Sequence, residues 1–125
     1  MTTAFVSVFL FVHGLVHLPA WLAPAGRSEP FDPRHSWAFA AAGLPQVRAL
    51  GRAAVALASA TTVLCVIACA AAAVRSGGWT TAALTAAYVG LALKALWFNA
   101  WLSRGVLLDV DVIAGVLLAW PPSLY

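Results

Sequence analysis

The chain has 125 residues, 63% hydrophobic and 9% charged, where soluble globular domains carry about 25% charged residues. So little polarity cannot cover a water-facing surface, so the lipid bilayer is the expected solvent and partner. The formal charge of +3 comes from seven basic residues scattered among apolar stretches; they form no basic stripe, which argues against nucleic acid.

The first apolar stretch, 3–22, holds no formal charge and only His13 and His17 as strong polar groups. At about 1.5 Å per residue it reaches across a hydrocarbon core of about 30 Å. The L-A-P-A-G run at 22–26 loosely resembles a signal-peptide cleavage site. The stretch lacks a positively charged start, however, and exceeds the usual apolar length of about 7–15 residues, so a retained helix is expected. Pro24, Gly26, Pro30 and Pro33 end it.

The loop 23–45 contains S-W-A-F-A-A-A-G-L at 36–44, which starts on a capping-type Ser and stops before Pro45. A short interfacial helix, or a re-entrant lid over the bundle, is expected there. A second span is expected over 46–74, uncharged between Arg52 and Arg75, and a third over 79–102, interrupted by Lys94 and Asn99. A fourth, over 105–120, is short, with Asp109 and Asp111 near its start and Pro121 and Pro122 closing it.

Four such segments must satisfy their backbones internally, so the expected fold is all-α: a single four-transmembrane-helix bundle over residues 1–125. Small residues at Ala82, Ala86 and Gly90, and at Gly115 and Ala119, offer flat faces for close helix approach. Arg27, Arg34, Arg48, Arg52 and Arg104 fall on one side and Arg75 alone on the other. The positive-inside rule then places the long loop in the cytoplasm and both termini outside a bacterial inner membrane. Trp79, Trp120 and Tyr125 are expected in the outer aromatic belt, and Trp21 and Trp101 in the inner one.

His13 and His17 lie one helical turn apart, a spacing that suits hydrogen bonding to a neighbouring helix, ligand binding, proton relay or metal binding. Lys94 lies about 15 Å of helix rise from Arg104 and Asp111 about 10 Å from it, both inside the expected membrane. A charge at the bilayer centre costs about 2.5–3.5 kcal/mol on insertion scales, so such groups turn inward and pair. Lys94 is expected to pair with Asp111 or Asp109. The two aspartates are about 200° apart around a helix; Asp111 shares a face with Ala114 and Gly115, so it is assigned to the interior and Asp109 to the interface near Arg104. Cys65 and Cys69 are also one turn apart, which makes His13, His17, Cys65 and Cys69 a weak metal-site candidate, of Cu(I) or Zn type.

H-G-L-V-H-L-P at 13–19, W-F-N-A-W-L at 97–102 and G-V-L-L-D-V at 105–110 resemble a group of short four-helix bacterial membrane proteins. The resemblance implies the four-helix architecture and no particular activity. The leading functional expectation is a polar pocket in the cytoplasmic half of the bilayer that binds or translocates a small molecule, lipid or ion. Its residues would be His13, His17, Lys94, Asn99, Asp109 and Asp111, with Trp97, Phe98 and Trp101 at its rim. The alternatives are a membrane-embedded enzyme or haem or metal redox protein, and an accessory subunit of a larger membrane complex; assembly as a homo-oligomer or within a larger complex is left open, and the cofactor is not legible.

Overall fold

Uncharged runs rich in Ala, Leu and Val bury their backbone polarity most cheaply as helices, and a computed structural model shows that outcome. It describes residues 1–22, 32–45 and 48–125, without the side chains of Ala20 and Trp101. Pro24, Gly26, Arg27, Pro30 and the expected helix start at 46 lie outside the described residues, as does the side chain of Trp101. Among the described residues the protein is all-α.

Helix α1 spans Thr2–Leu22, α2 Trp37–Ala41, α3 Arg48–Ala73, α4 Gly78–Leu96 and α5 Ser103–Leu117, with 3-10 turns at Ala100–Leu102 and Pro122–Leu124. Three segments, Thr2–Pro19, Arg48–Ala73 and Gly78–Leu96, are long and apolar enough to cross a membrane, which fits a multi-pass membrane protein. The third expected span is shorter than 79–102. It stops at Leu96 because Trp97 leaves helical geometry (φ −117°, ψ 39°), and the chain restarts as the 3-10 turn leading into α5. The last helix ends at Leu117, and Ala119 adopts a left-handed φ of 50°, so the expected Gly115/Ala119 packing face does not form.

The long helices run up and down. α1 packs on α3, α3 on α4 and α4 on α5, while α1 and α5 face each other across a cleft. Central α3 makes both of its contacts through small residues. Gly51, Ala54, Ala58, Thr61, Cys65, Ala68 and Ala72, all buried, recur at alternating steps of three and four, which keeps one narrow seam against its neighbours. Where α1 crosses this seam a Cβ on Gly14 would lie 2.6 Å from the Cβ of Cys65, and the Thr62 hydroxyl donates to the Gly14 carbonyl at 2.9 Å. The outward side of α1 instead exposes Val8, Val12, Leu15 and Val16.

Two apolar clusters close the ends. Val6, Leu10, Ala68, Ala72, Trp79, Ala83 and Leu124 form one, and Trp21, Ala54, Ala58, Leu93, Trp97 and Leu102 the other. Trp21 and Trp79 are therefore core residues, each 3% exposed or less, and not members of interfacial belts; Trp120 and Tyr125 are exposed.

The short helix expected within 36–44 is present as α2, covering Trp37–Ala41 only and docked on the end of α4. Ser36 caps α2 and its hydroxyl also donates to the carbonyl of Leu96. Trp37 Nε1 donates to the Ala95 carbonyl at 2.6 Å, and Trp97 Nε1 donates to the Pro33 carbonyl at 2.7 Å. Two of the carbonyls orphaned at the α4 C-terminus thus find donors in the loop.

Candidate functional site: a buried Lys–Asp–His–His network

His13 and His17 share a face of α1 because they are one turn apart, and their rings meet edge to face at 4.8 Å. Lys94, near the end of α4, and Asp109, in the second turn of α5, reach the same point from across the cleft. Lys94 Nζ donates to Asp109 Oδ2 at 2.6 Å and contacts His17 Nε2 at 2.8 Å. His13 Nε2 lies 2.8 Å from Asp109 Oδ1, and His17 Nδ1 lies 2.9 Å from the carbonyl oxygen of His13.

These contacts fix the proton positions. A carbonyl only accepts, so His17 Nδ1 carries hydrogen; its Nε2 then accepts from the Lys94 ammonium, and the ring is neutral. His13 Nε2 donates to the carboxylate. Both Asp109 oxygens are engaged by donors, and the Lys94 ammonium has two acceptors. Lys94 is 3% exposed and Asp109 0%, so an ion pair sits in the protein interior with each charge compensated.

Glycines make room for it reciprocally. Gly90 lies one turn before Lys94 on α4, and Gly105 one turn before Asp109 on α5. A Cβ on Gly90 would come within 2.7 Å of Asp109 Oδ2, and one on Gly105 within 2.6 Å of Lys94 Cε. Each charged side chain therefore lies over the glycine of the helix opposite, which is how an ammonium and a carboxylate fit between close-packed backbones.

The placement differs from the sequence expectation in one central respect. Asp109, not Asp111, faces the interior and pairs with Lys94; Asp111 is exposed and borders a separate apolar groove of about 440 Å³ lined by Phe5, Phe9, Trp79 and Val116. The physical reason is helix rotation: the face bearing Gly105, one turn before Asp109, is the one that meets α4. His13, His17 and Lys94 are brought together as a group. Trp97 is buried among Trp21 and Phe39 and does not line the site, Phe98 is exposed, and half-buried Asn99 supplies the carbonyl that starts the 3-10 turn through Leu102 N at 2.8 Å. The Gly90 and Gly105 spacings are the signal in the sequence that marks Asp109.

On the α2 side of the His13–Asp109 bridge the cleft widens into a cavity of about 670 Å³, lined by His13, His17, Lys94, Arg104, Ser103 and apolar side chains including Val16, Trp21 and Leu108. The bridge separates it from the apolar groove on the other side.

Donor atoms of His13, His17 and Asp109 lie within 4.8 Å of one another, a set suited to a divalent transition metal. The Lys94 ammonium, bonded to two of the three, already serves as their cation, so a metal requires its withdrawal. Cys65 and Cys69 do not join this cluster among the described residues.

No known protein family, curated protein or solved structure matches this chain.

Proposed function

We propose that the protein is a four-span protein of the bacterial cytoplasmic membrane that binds a small molecule or ion in the cleft between α1 and α5. One observation carries the binding reading: Lys94, held by buried Asp109 behind it, lines a 670 Å³ cavity together with His13 and His17. That volume falls in the usual range of small-molecule sites, about 300–1,000 Å³. A buried ion pair is weak support for stability, since well-packed apolar residues of similar volume are often as good. Four polar side chains beside an open cavity are better explained by an occupant than by packing.

The fourth span rests on length. The 15 residues of α5 rise about 22 Å, and the preceding 3-10 turn adds about 6 Å, close to a hydrocarbon core of about 30 Å. The arginine asymmetry supports a cytoplasmic α2 loop and outward termini, which puts the cavity in the cytoplasmic half.

The test is native mass spectrometry of protein purified in mild detergent. Wild type is expected to retain a non-protein mass that Leu108→Trp, whose added bulk narrows the cavity, loses. Equal retention by both proteins, or none by wild type, would remove the reading.

A further inference from the structure

We propose that the occupant of this cavity is a single-chain amphiphile with a carboxylate head, its acid group against Lys94 and Arg104 and its chain along Val16, Trp21 and Leu108. The inference deepens the binding reading above and rests on it.

Charge complementarity selects the head. An ammonium has three N–H donors, and Lys94 commits two, to His17 and Asp109. The third is uncommitted among the described residues, on a side chain that lines the cavity. Arg104 lines it too, is exposed, and makes no ion pair among the described residues. Asp109 is absent from the lining, and Asp111 lies in the other groove. An occupant therefore meets two cations and no carboxylate. Lys94 and Arg104 against Asp109 leave a net charge of +1, which one carboxylate brings to zero, and the guanidinium fork matches a planar carboxylate. The α5 N-terminus, which has no side-chain cap, begins at Ser103 on the same wall and adds its positive dipole end.

Location selects the tail. The rest of the lining is mainly apolar, and Val16, which belongs to it, is 62% exposed on the face of α1 that suits lipid. The cavity thus opens sideways between α1 and α5, and a chain already dissolved in the bilayer reaches it without crossing water. The single-cation surplus disfavours a phosphomonoester head such as that of phosphatidic acid, whose greater charge would be left partly uncompensated.

The experiment uses the full chain in phosphatidylcholine nanodiscs and tryptophan quenching by 9,10-dibromostearate, since Trp21 is part of the cavity wall. Saturable quenching is expected, lost in Trp21→Phe and weakened about tenfold in Arg104→Gln, the loss of one charge-assisted contact. Arg104 is exposed, so its replacement leaves the fold intact, which helical circular dichroism verifies. The corresponding dibromo-alcohol should quench only in proportion to its concentration in the bilayer. Equal behaviour of acid and alcohol, or an unchanged Arg104→Gln, would overturn the assignment. Saturable quenching by brominated phosphatidic acid without dibromostearate would overturn the carboxylate head alone. A wild-type protein that retains a bound mass but ignores dibromostearate refutes this inference and leaves the binding reading standing; one that retains nothing and ignores all the probes refutes both.

Discussion

Lys94 Nζ lies 2.6 Å from Asp109 Oδ2, and neither residue is more than 3% exposed. In such a place, removing one partner leaves a charge without compensation, whereas removing both removes the charge with its cost. Lys94→Met and Asp109→Leu alone are each expected to destabilise the protein by about 3–5 kcal/mol, and the double variant by much less than their sum. Thermal unfolding in detergent, followed by tryptophan fluorescence, measures the cycle. Additive losses would show that the two charges do not interact.

The glycine beneath each charge gives a second expectation. In Gly90→Ala the new methyl would sit 2.7 Å from Asp109 Oδ2, too close for a carboxylate pinned by Lys94 and His13 to tolerate unmoved. Overpacking of this kind costs about 1–3 kcal/mol. The same substitution in an Asp109→Ala background should cost far less, because the clashing atoms are gone. An equal penalty in both backgrounds would mean that Gly90 is needed for helix packing and not for the carboxylate.

How far these relationships could be read from the chain depends on what fixes them. Apolar run lengths give the helices, and a four-residue spacing puts His13 and His17 on one face whatever surrounds them. The choice between Asp109 and Asp111 turns on the rotation of α5, which its own composition leaves open; Gly115 drew the assignment to Asp111, although the glycine that meets α4 is Gly105, one turn before Asp109. The seam of small residues on α3 was present in the sequence, but Cys65 within it invited a metal reading when its part is to be small beside Gly14. Trp21 and Trp79 fall near span ends, as belt residues do, yet both are buried in apolar clusters with the small residues of α3. The cavity joins residues from three helices, so no local pattern announces it.

Because Lys94 serves as cation to His17 and Asp109, removing it should convert the network into a metal site. Lys94→Ala leaves two imidazoles and a carboxylate with donor atoms within 4.8 Å of one another, a three-ligand set with space for water as the fourth. Zinc at micromolar concentration is expected to raise the melting temperature of Lys94→Ala and not that of wild type, since only a ligand bound by the folded state shifts unfolding. Adding His13→Ala should abolish the effect and Cys65→Ala should not. Equal stabilisation of wild type would show that the ammonium does not hold the site against metal.

The α2 loop provides a pH-dependent expectation outside the membrane-spanning helices. Partial burial pushes the Asp32 carboxyl up, but the Arg34 backbone N–H at 2.9 Å, the Arg34 guanidinium and the His35 ring at 3.0 Å outweigh it and hold the group below the ordinary carboxylate range. A depressed folded-state pKa means that the ionised form favours the folded loop, so this stabilisation is present above the unfolded pKa and is lost as pH falls through the folded one. The same loop segment docks on α4 through Ser36, Trp37 and Pro33, so acidification should loosen α2. Hydrogen exchange, corrected for its intrinsic pH dependence, should show protection of residues 34–42 falling in acid, and Asp32→Asn should show the weaker protection already at neutral pH. Retained protection in Asp32→Asn would mean that the Trp37 and Trp97 bonds hold the loop without the carboxylate.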